Sequence, residues 1–198
     1  MPIAPLPGSA LEQIFLQART HSVWDDTPVT EDELRRLYEL LKFAPTGGNS
    51  GPGRFVFVRS PEAKARLLPV MAAGNVDKTR AAPVTVVVAQ DTKFFEHFAK
   101  LAPHAPAMKQ AFESNPERSA KAALMGSTLQ GAYLILAARS LGLDAGPMGG
   151  FDREKVDAAF FPDGAFISLY LMNVGYADDS KSFPRLPRLP VDEVTKFV

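Results

Sequence analysis

The chain has 198 residues, 46% of them apolar and 22% charged, with 22 basic side chains balancing 22 acidic ones and no cysteine. That length supports one domain with a real core, and a neutral balance gives no electrostatic case for nucleic acid or an anionic membrane surface. Without cysteine there is no disulfide, no thiolate nucleophile and no Cys-ligated metal centre. The first residues, Met1-Pro2-Ile3-Ala4-Pro5-Leu6-Pro7, have neither a basic start nor a long apolar run, so no secretory signal is expected. The longest apolar stretch, 131–138, is far shorter than the ~20 residues of a membrane span. A cytoplasmic location is expected.

Ser9, with Glu12 three residues on, is a candidate capping box. It predicts a helix carrying Leu11, Ile14, Phe15 and Ala18 on one face and ending near Arg19. Thr30 and Glu33 repeat the pattern, and Leu34, Leu37, Tyr38 and Leu41 follow at spacings of three and four, predicting an amphipathic helix over 30–44 that Pro45 stops. Phe55-Val56-Phe57-Val58 reads as a strand, and Ser60-Pro61-Glu62 opens a helix over 61–72. The continuous apolar run 84–89 reads as a strand buried on both faces. Residues 92–118, with several aromatics, His97, His104 and three prolines, look like an excursion that covers something. The segment 119–141 is a long helix with almost no polar face, buried either in a core or against a second subunit, and Gly142 caps its end. Asp152 caps a short helix to Phe160, 165–174 is a further strand, and the tail through Arg185 and Arg188 precedes a last short helix. Helices that do not alternate strictly with strands predict an α+β fold in a single domain.

Several familiar sites are absent. Gly47-Gly48-Asn49-Ser50-Gly51 lacks the ending of a P-loop, Gly146-Pro147-Met148-Gly149-Gly150 does not fit a dinucleotide turn, and no nucleophile elbow occurs. The three histidines, His21, His97 and His104, have no metal-ligand spacing, so no metal site is expected. Three other segments can hold or present chemistry. Arg19-Thr20-His21-Ser22 sets two basic groups and two hydroxyls at a helix end; it can bind a phosphate, or Arg19 can cap helix carbonyls. Ala44-Pro45-Thr46-Gly47-Gly48-Asn49-Ser50 presents an amide able to bond a heterocycle edge, or is an ordinary turn. Gly149-Gly150 leaves bare N–H groups that a planar ring can approach, or is a strained connection. Arg185 and Arg188 are presented by a Pro-stiffened tail.

Taken together, these segments resemble the FMN-dependent nitroreductase family. The Arg19–Ser22 turn is similar to its R-x-S phosphate motif, the Ala44–Ser50 loop to its A-P-S-x-x-N loop, Pro147-Met148-Gly149-Gly150-Phe151 to its P-x-x-G-F loop, and Arg185-Leu186-Pro187-Arg188 to its terminal basic motif. Gly-Leu-Asp-Ala-Gly-Pro-Met over 142–148 and Gly-Phe-Asp-Arg over 150–153 resemble more narrowly the malonic semialdehyde reductase and NADH dehydrogenase/nitroreductase subgroup.

The resemblance implies a mostly antiparallel sheet flanked by helices and an intertwined homodimer with FMN at the subunit interface. It implies that Arg19 and Arg188 hold the FMN phosphate beside Thr20, Ser22, His21 and Arg185. By the same carry-over Asn49 bonds the isoalloxazine edge, and Gly150, with Gly149, donates near N5. NAD(P)H would reduce the flavin and leave, and a small acceptor would then be reduced, malonic semialdehyde to 3-hydroxypropionate being the subgroup's case. No catalytic side chain is implied, because the flavin carries the hydride. The alternatives are a nitro, quinone or enoate reductase of broad specificity, and a non-catalytic flavin-binding protein. The chain departs from the family pattern at Val23-Trp24, where a basic residue is usual, at Gly51, where a glutamine is usual, and at Gly149, where an acidic residue is frequent.

Overall fold

A computed structural model describes residues 3–178, 180 and 183–198. In chain order it has α1 Gly8–Leu11 running into a π-helical turn Glu12–Leu16, α2 Glu31–Leu41, β1 Gly53–Val58, α3 Pro61–Leu67, α4 Ala73–Ala81 and β2 Val84–Asp91. Then follow α5 Phe98–Leu101, α6 Ala107–Glu113, α7 Pro116–Ser140, β3 Asp144–Met148, α8 Arg153–Phe160, β4 Phe166–Gly175 and α9 Val191–Val194. The strands form one antiparallel sheet in the order β1-β2-β4-β3. The α+β class and the antiparallel sheet are as expected.

The two-residue period of a strand explains the layering. On β2, Val84, Val86 and Val88 face one way and pack with Leu34, Leu37 and Leu41 of α2 and Leu134 of α7. Val87 and Ala89 face the other way and pack with Leu67 of α3 and Val156 of α8. The central strand is therefore buried on both sides, as its unbroken apolar run predicts. A third cluster, built from Phe94, Phe98, Phe112 and Ala123, holds the excursion together and ties it to α7.

Thr30 caps α2 as its spacing predicts. The Glu33 N–H donates to Thr30 Oγ1 at 3.3 Å, and the Thr30 N–H donates to Glu33 Oε2 at 2.7 Å. The Thr30 hydroxyl first, and then the Tyr176 hydroxyl, hold the Glu33 carboxyl below its ordinary value of 4.5. A carboxyl whose folded value is depressed contributes stability above its unfolded value and loses it as pH falls through the folded one. Thr30→Ala should therefore cost about 1 kcal/mol and make the acid side of the stability curve shallower. Thermal melts of both proteins from about pH 6 down to pH 3 check this, and parallel curves with no offset would contradict it.

Three departures from the sequence reading have physical causes. Ser9 is not a cap: the Pro7 carbonyl accepts from the Ala10 and Leu11 N–H groups, so α1 starts ahead of Ser9 and widens into the π turn before Arg19. The helix expected over 61–72 ends at Leu67, because Pro69 has no N–H to continue it and the chain tightens into a 3₁₀ turn over Leu68–Val70. Both α4 and β3 lie where no element was predicted. Of the two places expected to bury α7, the core of the chain takes one face. Leu134, Ala137 and Ala138 point into the core, but Leu124, Met125, Leu129 and Tyr133 are exposed.

Candidate functional site

The site begins at the free edge of β3. Thr20 forms a parallel bridge with Ala145, and the His21 N–H donates to the Ala145 carbonyl at 3.3 Å. Gly146 permits this approach, since a Cβ there would lie 2.4 Å from the His21 carbonyl oxygen. The Arg19–Ser22 turn is thus laid directly on the strand. His21 turns inward and is buried, its Nε2 3.2 Å from Asp144 Oδ1. Asp144 Oδ2 in turn accepts from the Ala177 N–H at 3.0 Å. His21 faces a cavity it shares with Gln13, Gln17, Arg139 and Asp144, next to the cleft that Arg19 lines. Ser22 is half-buried and lines neither space.

That cleft, of about 340 Å³, gathers Arg19, Thr20, Arg139, Arg185 and Arg188 with Phe15, and among the described residues no acidic side chain lines it. Arg19 Nη1 donates to the Gln17 and Ala18 carbonyls at 2.8 and 3.1 Å. Arg185 Nη2 donates to the Phe15 and Ala18 carbonyls at 3.1 and 2.9 Å, and Arg188 Nη1 to the Leu186 and Pro187 carbonyls at 2.9 and 3.1 Å. The capping role considered for Arg19 is therefore present. It uses one terminal nitrogen of each guanidinium, and among the described residues the remaining N–H groups are left as donors.

Arg139 is the residue that sequence reasoning missed. Its Nη1 donates to the Ile14 carbonyl at 3.0 Å, while its Nε is buried with no partner among the described residues. Burial, and then the charge of Arg185, lower its pKa, against a smaller opposing effect of Asp144. Four guanidinium groups in a cleft that no carboxylate lines among the described residues suit a phosphate dianion. The sequence signal for Arg139 was a single basic residue in the last turn of an otherwise apolar helix.

The Asn49 loop lies elsewhere. Gly48 and Asn49 have φ of 63° and 55°, a left-handed turn that these two residue types tolerate. Asn49 Nδ2 donates to the Leu101 carbonyl at 2.8 Å, which pins the loop to α5. Asn49 lines a separate cavity of about 500 Å³ with Tyr38, Arg54, His97 and Lys100. The loop precedes β1, at the opposite edge of the sheet from β3, three strand spacings or ~14 Å away.

Gly149 and Gly150 sit further along the edge that carries the Arg19 turn. Gly149 lies four residue steps beyond Ala145, or ~13 Å of extended chain. The Gly150 carbonyl accepts from the Ala72 N–H at 3.0 Å and from Asn75 Nδ2 at 2.8 Å. A Cβ on Gly150 would meet that same Asn75 nitrogen at 2.6 Å, whereas a Cβ on Gly149 would meet nothing within 4 Å. Gly149 is therefore an open stretch of backbone beside Asn75, which carried no sequence signal. One chain brings Arg19, Thr20, Arg185 and Arg188 together, sets Gly149 and Gly150 along the same edge, and leaves Asn49 across the sheet.

Comparison with known proteins matches the chain to the Nitroreductase family over residues 16–176. A protein of Rhodopseudomonas palustris named "Putative NADH dehydrogenase/NAD(P)H nitroreductase" is 56% identical over 193 residues, covering 98% of each chain. A Burkholderia lata protein with that name is 55% identical over 192 residues, covering 97% of this chain and 98% of its own. Among solved structures, a "putative nitroreductase in complex with FMN" from Exiguobacterium sibiricum 255-15 superposes with a TM-score of 0.86 at 23% identity, over 95% of this chain and 97% of that one. A family match across most of its length and relatives identical at more than half their positions establish that this chain belongs to the nitroreductase family.

Proposed function

We infer that the protein is an FMN-dependent oxidoreductase that takes reducing equivalents from NAD(P)H and passes them to a small acceptor. The observation that carries this reading is the arginine cleft at the edge of β3, whose donors suit the phosphate of FMN. Names of the close relatives, which refer to NADH and NAD(P)H, support the choice of reductant. The flavin, when bound, supplies the hydride chemistry. The chain's own residues bind, orient and exclude water. Arg19, Arg139, Arg185 and Arg188 hold the phosphate, with Thr20 as the hydroxyl donor; Ser22, which lines neither space, takes no part. His21 acts from beneath, fixing the turn on β3 through Asp144. The Gly149 and Gly150 backbone accommodates the ring, and Asn49 meets its edge.

That last role requires a homodimer, because within one chain Asn49 is across the sheet. The exposed stripe Leu124, Met125, Leu129 and Tyr133 on α7, and Phe183, Leu186, Leu189 and Phe197 in the tail, supply an apolar face that a second copy would cover. In this reading the chain is one FMN-binding unit and the helices after β2 roof the pocket.

The purified protein should be yellow and should bleach with NADH or NADPH; a colourless protein that cannot be reconstituted with FMN would contradict the reading. Malonic semialdehyde is the acceptor that the subgroup resemblance suggests. Rates over a panel of semialdehyde, nitro, quinone and enone acceptors test that choice, and negligible semialdehyde turnover would remove it. Arg139→Met, which keeps an apolar stem but no charge, should raise the FMN dissociation constant about tenfold, roughly 1.4 kcal/mol. Fluorescence titration of the apoprotein checks this, and an unchanged constant would confine Arg139 to helix capping.

A further inference from the structure

The cavity beside Asn49 has a one-sided charge pattern. Among the described residues every charged side chain lining it is basic: Lys42, Arg54 and Lys100, with His97 also in the lining. Two carboxylates stand close behind. Asp91 is buried, accepts from Arg54 Nη2 at 2.5 Å and lies 3.4 Å from His97 Nε2. Glu39 pairs with Lys42. Three permanent cations thus face two carboxylates, although the chain as a whole is neutral.

The surplus falls on Lys100. Arg54 is spent: besides Asp91 it donates to the Gly51 and Gly53 carbonyls at 2.9 and 2.8 Å. Lys100 makes no hydrogen bond or ion pair among the described residues. Its side chain is exposed, but its backbone is held in place. Its helix, α5, is anchored by Phe98, which is buried against Phe94 and Phe112 with ring centroids 5.9 and 5.6 Å away. Its neighbour Leu101 accepts from the Asn49 side chain. A cation on a braced helix turn, next to the loop assigned to the flavin edge, costs little reorganisation when an anion arrives.

We propose that this cavity is the acceptor subsite and that it selects small acceptors carrying a carboxylate, with Lys100 as the direct partner and Lys42 and His97 flanking it. Arg54 is a positioning residue, acting through Asp91 on His97. The proposal rests on the flavin reductase reading above.

The test uses the FMN-loaded protein and two acceptors that differ mainly in charge, 4-nitrobenzoate and 4-nitrobenzamide. Wild type should favour the benzoate in kcat/KM, chiefly through KM, and the preference should shrink as salt screens it. Lys100→Ala should lower kcat/KM for the benzoate at least about fivefold and change the benzamide less than about twofold, Lys100→Glu should invert the preference, and Lys100→Arg should retain it. Binding of benzoate against benzamide to the oxidised holoprotein, followed by calorimetry, gives the same comparison without turnover. Equal effects on both acceptors, or no effect, overturn the proposal. So does an effect confined to the rate of bleaching by NAD(P)H, which would assign the cations to the dinucleotide phosphates. Failure of the underlying reading looks different: no flavin is held, or NAD(P)H does not bleach it whichever residue stands at 100, and the subsite assignment then falls with it.

Discussion

Arg188→Ala should weaken FMN binding by about 1.5–3 kcal/mol, a loss of roughly 10- to 150-fold in affinity. The size follows from what Arg188 does in the ligand-free chain. It is exposed, and Nη1 is occupied only by the carbonyls of its own loop, Leu186 and Pro187. Prolines on both sides, Pro187 and Pro190, stiffen that loop. Truncation removes a charge-assisted donor while leaving the core untouched, so thermal stability of the apoprotein should stay within about 0.5 kcal/mol of wild type. Arg185→Ala should behave differently. Arg185 donates to the Phe15 and Ala18 carbonyls, so its loss should loosen the π turn and lower both affinity and stability. FMN titration and apoprotein melts on the two variants separate the roles. Undiminished FMN affinity in Arg188→Ala would make that arginine a surface residue.

Gly146→Ala should damage both stability and flavin binding. The new Cβ would lie 2.4 Å from the His21 carbonyl oxygen and 3.3 Å from Trp24 Cζ2. The first neighbour is backbone and cannot swing aside. Relief requires the Arg19–Trp24 segment to lift off β3, which breaks the Thr20–Ala145 bridge and the His21 N–H bond to Ala145. Overpacking of this kind costs about 1–3 kcal/mol, and each kcal/mol lowers the melting temperature by roughly 2–4 °C for a chain of this size. FMN affinity should fall too, because Arg19 and Thr20 ride on the displaced segment. Gly149→Ala is the control, since its Cβ meets nothing within 4 Å, and it should leave stability almost unchanged. A Gly146→Ala protein that melts with wild type would show that the turn is not held against the strand.

What the sequence revealed depended on how local the cause was. The Thr30 cap, the Asp152 cap, the end of α7 at Gly142 and the doubly buried β2 each follow from a few neighbouring residues, and each is present. The strand β3 was invisible because Asp144-Ala-Gly-Pro-Met is turn-like in composition. It is a strand because β4 supplies its partner and because Pro147 sits on an edge strand, where a missing N–H is tolerated. Helix α4 has no apolar period to detect; Lys64 Nζ donates to the Thr79 and Arg80 carbonyls at its end, at 2.9 and 3.3 Å. The family motifs pointed to Arg19, Arg185 and Arg188, which do converge. They could not show that His21 turns inward to Asp144, that Arg139 arrives from the end of a distant helix, or that Asn75 braces Gly150. Those placements are set by tertiary packing between residues up to 125 positions apart.

Comparing FMN with riboflavin tests most directly whether the arginine cleft seats the flavin phosphate, because the two differ only in that group. Titrated into wild-type apoprotein, FMN should bind at least about 100-fold more tightly than riboflavin, roughly 3 kcal/mol, as expected for several charge-assisted bonds, and Arg188→Ala should narrow the gap. Equal affinities for the two flavins would contradict it.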